Sequence, residues 1–107
     1  MKTSELTGAA LDWAVAKCEG ELEYWPQIEY STDWTQGGPI IEREGVSIVQ
    51  QGDAAEWVAS VYDHSAEDWR LHTTGPTPLI AAMRCYVASK MGDEVEVPEE
   101  LTKGESK

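Results

Sequence analysis

Two short segments of the 107-residue chain hold the residue types best suited to gripping a small molecule. The first is Ser31-Thr32-Asp33-Trp34-Thr35-Gln36-Gly37-Gly38-Pro39-Ile40-Ile41, and the second is Thr74-Gly75-Pro76-Thr77-Pro78-Leu79-Ile80-Ala81-Ala82-Met83-Arg84. Trp34 offers a plate on which a planar ring can stack. Asp33 and Gln36 can read polar edges or a ribose, and Gly37 and Gly38 let a backbone approach closely. Thr77, at the start of an apolar run, presents a hydroxyl beside free backbone N–H groups and the positive end of a helix dipole, a combination that attracts phosphate or carboxylate. Arg84 is the cation nearest that run in sequence, with Arg43 and Arg70 available through folding. Each residue also has a purely structural explanation. Asp33 can close an Asx turn, Trp34 can fill a core, and Thr77 can cap its own helix.

Other chemistries find less support. His64 and His72, with Asp63 and Asp68 nearby, match no compact zinc spacing. Cys18 or Cys85 could pair with a histidine as nucleophile and base, but no nucleophile elbow accompanies either. Glu42 and Glu44 read as a solvated acidic edge. Gly75-Pro76-Thr77-Pro78 lacks the lysine and glycine run of a P-loop and is not a dinucleotide fingerprint. No catalytic residue, metal set or cofactor is named from these patterns.

The elements that must position the two segments follow from periodicity and punctuation. Ser4 as N-cap and Gly20 as stop bracket a first helix over residues 5–18, with Leu6, Ala10, Ala14 and Cys18 on its apolar arc and Asp12 and Glu19 in water. Residues 31–39 read as a loop, because Gly37-Gly38-Pro39 opposes regular structure. Val46 and Ile48, then Trp57 to Tyr62, then Trp69 to Thr73 alternate as short strands. Their connections are too short for parallel crossovers, so the sheet is antiparallel. Trp57, Ala59 and Val61 share one face of the middle strand. Thr77 and Pro78 start a second helix that is apolar on most sides and ends at Gly92. Val95 and Val97 alternate with glutamates as a further short strand before Pro98. The prediction is an α+β fold, a small antiparallel sheet packed against two main helices, with one domain over 1–101 and a flexible tail over 102–107.

Charge narrows the partners. Twenty Asp and Glu against 8 Lys and Arg leave a formal charge of −12. That opposes direct nucleic-acid binding and anionic membranes. It favours solubility and electrostatic steering toward a basic protein. Two cysteines set no disulfide framework, and neither a signal-peptide core nor a membrane-spanning run is present, so a reducing cytoplasm is expected.

The chain resembles the bacteriophage NinX-like family of small phage proteins. The resemblance is carried by Glu5-Leu6-Thr7-Gly8, Leu11-Asp12-Trp13-Ala14-Val15-Ala16, Tyr30-Ser31-Thr32-Asp33-Trp34 with Gly37-Gly38-Pro39-Ile40-Ile41, Gly75-Pro76-Thr77-Pro78-Leu79 with Ala81-Ala82-Met83-Arg84, and Val95-Glu96-Val97-Pro98. It implies a phage or prophage product acting in the cytoplasm of a bacterial host, and supplies no activity. The residues then point to a non-catalytic binder of a small anionic or nucleotide-like molecule, able to sequester a host signal. Its ligand-binding set is Asp33, Trp34, Gln36, Gly37, Gly38, Thr77 and Arg84. The alternative is an acidic interaction module that modulates a basic host protein. Homo-oligomers are compatible with either reading.

Overall fold

The computed structural model describes residues 2–25, 27–52, 56–63, 68–92, 94–99 and 101. His64, the turn residues 53–55 and the expected tail over 102–107 lie outside them. Three α-helices and three strands follow in the order α1 (Gly8–Glu19), α2 (Trp34–Glu44), β1 (Ser47–Gln50), β2 (Trp57–Asp63), β3 (Asp68–Gly75) and α3 (Pro78–Met91), with 3-10 turns at Thr3–Glu5 and Leu22–Tyr24. The sheet is antiparallel in the order β1-β2-β3. This is the α+β class that alternation and short connections predict.

Helix α3 is the centre of the molecule. Leu79, Ala81, Ala82, Met83, Cys85, Tyr86, Val87 and Ala88 are buried, which covers every side of the helix. One side packs on all three strands and another on α1 and α2. Small residues make this possible, since Ala81 and Ala82 keep the neighbouring backbones near. Ala59 meets α3 from the sheet, flanked by Trp57 and Val61 on the same face. Gly75, at the end of β3, shows how tight the join is, because a Cβ there would stand 2.8 Å from the Ala81 nitrogen. Thr73 adds a bond across the same seam, its hydroxyl donating to the Ala81 carbonyl at 2.9 Å.

Four sequence-based expectations are corrected. Helix α1 starts at Gly8 with Thr7 as its cap, and the Thr3–Glu5 turn precedes it. Asp12 is not in water: it is 8% exposed and accepts the Ser31 N–H at 2.8 Å. The expected loop over 31–39 is mostly helix, with Pro39 inside α2. Two glycines and a proline cost about 5 kcal/mol of helix propensity relative to alanine. Tertiary contacts offset that cost. Asp33 caps α2, Ile40 is buried at 2% exposure, and Gly37 lets α2 press against Leu79 and the Tyr30 carbonyl. In place of the expected strand around Val95, Glu94 forms a single bridge with Lys2, and Val95 is buried.

Candidate functional site

The N-terminal ends of all three α-helices open on two adjoining cavities. The first, of about 210 Å³, is lined by Ser31, Thr32, Trp34, Thr77, Leu79 and Ile80, with Pro78. Trp34 is the first residue of α2, and Thr77 is the cap of α3. The second cavity, of about 360 Å³, shares Ser31 and Thr32 with the first and reaches Gly8 and Ala9 at the start of α1. Trp34 and Thr77 therefore border one depression although 43 positions separate them in sequence.

Each helix start leaves a different set of donors. Asp33 Oδ1 accepts from the Thr35 N–H at 2.9 Å and from the Thr35 hydroxyl at 2.6 Å. Thr77 Oγ1 accepts the Ile80 N–H at 3.1 Å, and the Thr77 carbonyl accepts the Ala81 N–H at 3.0 Å. Pro78 has no N–H, so Leu79 carries the one unpaired donor of the first turn of α3 among the described residues. Helix α1 is capped by backbone alone: the Thr7 carbonyl accepts the Leu11 N–H, and the Thr7 side chain makes no capping bond. The N–H groups of Gly8 and Ala9 have no partner among the described residues.

The other residues proposed for binding divide. Gln36 is exposed on α2. Gly37 is buried and serves helix packing: a Cβ there would meet the Tyr30 oxygen at 2.5 Å and Leu79 Cδ1 at 2.7 Å. Gly38 is roomier, its nearest neighbour being the Trp34 ring at 3.8 Å from a built Cβ. Arg84 is not brought to the depression. Its Nε donates to the Leu6 carbonyl at 2.7 Å and its Nη1 to the Thr74 carbonyl at 2.8 Å, so the guanidinium ties the chain before α1 to the end of β3. Seven residues along α3 from Thr77, it stands about 10 Å further up the helix axis.

The opposite, C-terminal ends of the helices converge on a different cluster. Arg43, on α2, grips Glu19 at the end of α1 with Nη1···Oε1 3.1 Å and Nη2···Oε2 2.6 Å. Its Nε donates to Glu44 at 2.9 Å, and Lys90 reaches the other Glu44 oxygen at 3.3 Å. The Tyr86 hydroxyl, on α3, donates to Glu19, and Arg43 and Lys90 both lie over the Tyr86 ring. The Arg43 hydrogen bonds hold the Glu19 and Glu44 carboxyls below the usual carboxylate range. Burial and the Glu19 carboxylate push the Tyr86 phenol up. Tyr30 likewise donates to Glu21 at 2.5 Å. Sequence reading missed this cluster. The one available signal was a basic residue in the last turn of α2 and of α3, and neither signal names a partner.

Asp12 is the second residue that the sequence did not mark. Burial raises its carboxyl above the ordinary value, Glu29 raises it a little further, and the Ser31 backbone and side chain oppose both. The Ser31 hydroxyl is itself buried and short of hydrogen-bonding geometry with any described residue. Burial pushes the thiols of Cys18 and Cys85 up to about 11, so neither is an activated nucleophile. Among the described residues no group of three or more His, Cys, Asp or Glu could hold a metal ion, and no helix is long and apolar enough to cross a membrane.

The fold and its paired cavities define a small α+β domain with its helix N-termini gathered at one mouth. The chain belongs to the family described as "Bacteriophage P22, NinX", whose model matches residues 21–90. It is thus phage-associated, and the match spans both segments that border the first cavity. No curated protein matches the chain.

Proposed function

We propose that the domain is a non-catalytic binder of a small anionic, nucleotide-like molecule, held where the three helix starts meet. The observation that carries this reading is the convergence of the N-terminal ends of α1, α2 and α3 on adjoining cavities rimmed by Trp34. Each helix start brings the equivalent of about half a positive charge, and that local field acts at contact distance. The formal charge of −12 acts from further away, and salt screens it over about 8 Å under physiological conditions. Trp34 is 53% exposed, so its ring face is available for stacking. The Leu79 N–H and the Thr77 hydroxyl hydrogen are the donors that an anionic group would meet in the first cavity. In a phage-infected cell such a protein would withhold a nucleotide from host machinery.

Calorimetry of the whole chain against inorganic phosphate and a panel of mono-, di- and cyclic nucleotides tests this reading. Binding that weakens with a phosphate-free analogue and with Trp34→Ala is expected. A panel without any binder refutes it.

A further inference from the structure

The walls of the second cavity are more selective than those of the first. On one side, Gly8 and Ala9 present backbone N–H groups that nothing described in the fold uses. On another, Asp12 lies one turn further along α1 and is 8% exposed. Its Oδ1 accepts the Ser31 N–H at 2.8 Å. Its second oxygen has no hydrogen-bond partner among the described residues, yet it is not one of the sealed polar atoms, so it keeps access to the cavity that Asp12 lines. Trp25, half-buried, forms an aromatic wall of the same cavity. Ser31, at the junction with the first cavity, keeps its buried hydroxyl beside the Asp12 carboxyl and favours its charged form.

Burial, with no cation paired to it among the described residues and with Glu29 in the same cavity wall, makes Asp12 a costly residue to keep charged. A carboxylate next to unpaired N–H groups, under an aromatic wall, is complementary to a ring that presents a carbonyl, a ring N–H and an amine in a row. Guanine has that edge. Adenine turns a ring acceptor toward the position where guanine has its N–H, and so meets a carboxylate unfavourably. Recognition of a free base by its Watson–Crick edge together with aromatic stacking is a common way to bind an unpaired nucleotide.

We infer that the second cavity takes a guanine-type base: the Asp12 oxygen not held by Ser31 accepts from the ring N–H and the exocyclic amine, the N–H groups at the start of α1 donate to the carbonyl, and Trp25 stacks on the ring. Ser31 and Thr32 then stand between base and phosphate. The inference rests on the proposed anion site only for the placing of the phosphate.

The test is calorimetry of the whole chain with GMP, IMP, AMP, guanosine and methylguanidine. GMP is expected to bind about tenfold or more tightly than IMP, which lacks the exocyclic amine, and AMP more weakly still, since each missing donor leaves the accessible Asp12 oxygen less well answered. Asp12→Asn should erase the preference for GMP over AMP. If that variant fails to fold, the wild-type ranking of GMP, IMP and AMP decides alone. Equal binding of GMP and AMP overturns the inference, as does competition by methylguanidine as strong as that by guanosine. Guanosine binding as tightly as GMP, with no effect of Trp34→Ala, would keep the guanine site and sink the anion site. Trp34-dependent binding of all nucleotides alike would do the reverse. Absence of any nucleotide or nucleoside binding removes both.

Discussion

The two ends of the helical layer differ in how completely their polar groups are answered. At the C-terminal end, Arg43, Glu19, Glu44, Tyr86 and Lys90 satisfy one another across three helices. At the N-terminal end, among the described residues, one Asp12 oxygen lacks a hydrogen bond of good geometry, and Gly8, Ala9 and Leu79 have unused N–H groups. Gly8 and Ala9 are exposed, so water can answer their N–H groups, whereas Asp12 and Leu79 are buried and an unanswered polar group there costs free energy. The difference marks the C-terminal cluster as a bolt and supports placing the proposed binding site at the N-terminal mouth. Arg43 and Tyr86, both strongly shifted, sit in the bolt, as structural ion-pair networks often have them.

The contrast can be broken at its base first. Gly37→Ala would push a Cβ to within 2.5 Å of the Tyr30 carbonyl oxygen. That clash separates α2 from α3 and loosens both ends at once, at a cost of about 3 kcal/mol in chemical denaturation. Unchanged stability would show that α2 can slide on α3.

Arg43→Ala attacks the bolt alone. Glu19 would keep the Tyr86 hydroxyl but lose its bidentate cation. Because the Arg43 side chain is 51% exposed, solvent screening limits the loss to about 1–2 kcal/mol at pH 7. The pH dependence has a definite sign. Glu19 and Glu44 have lowered values in the folded state, so their contribution is present above the unfolded carboxylate range and fades as pH falls through the lower folded values. The gap between wild type and Arg43→Ala should therefore close in acid. A gap independent of pH would assign the loss to packing.

Asp12→Asn should show the opposite signature at the mouth. The folded-state value of Asp12 is raised, so the charged form opposes folding at neutral pH, and protonation relieves that penalty as pH falls through the raised value. Asparagine retains the acceptor for the Ser31 N–H without the charge. The variant is expected to be as stable as wild type or up to about 1 kcal/mol more stable at pH 7, with the difference vanishing in acid. Thermal melts across pH settle the matter, and a clear loss of stability at pH 7 would make Asp12 a structural residue.

Trp34→Ala is expected to have the smallest effect on stability, within about 0.5 kcal/mol, because the ring is more than half exposed. Its signature is lost ligand binding on an intact fold. A drop of 2 kcal/mol or more, on the scale of a lost core side chain, would return Trp34 to the hydrophobic core and leave the mouth without its plate.

Local sequence determined a good deal of this protein. Alternation over Trp57–Val61, the Thr77-Pro78 start and the apolar girth of α3 are short-range signals, and the structure follows them. They hold because backbone capping and strand period depend on residues within a turn or two. Gly37-Gly38-Pro39 misled for the same reason. Local propensity opposed a helix that contacts with Leu79 and Tyr30 impose. Asp12 read as a wet position because helical periodicity shows one face at a time, whereas the segment carrying Ser31 covers it from 19 residues away. The meeting of Trp34 with Thr77, the diversion of Arg84 to two carbonyls, and the pairing of Glu19 with Arg43 were decided by tertiary structure alone. Each depends on where separate helices come to rest, and a central helix buried on all sides leaves its neighbours few other positions.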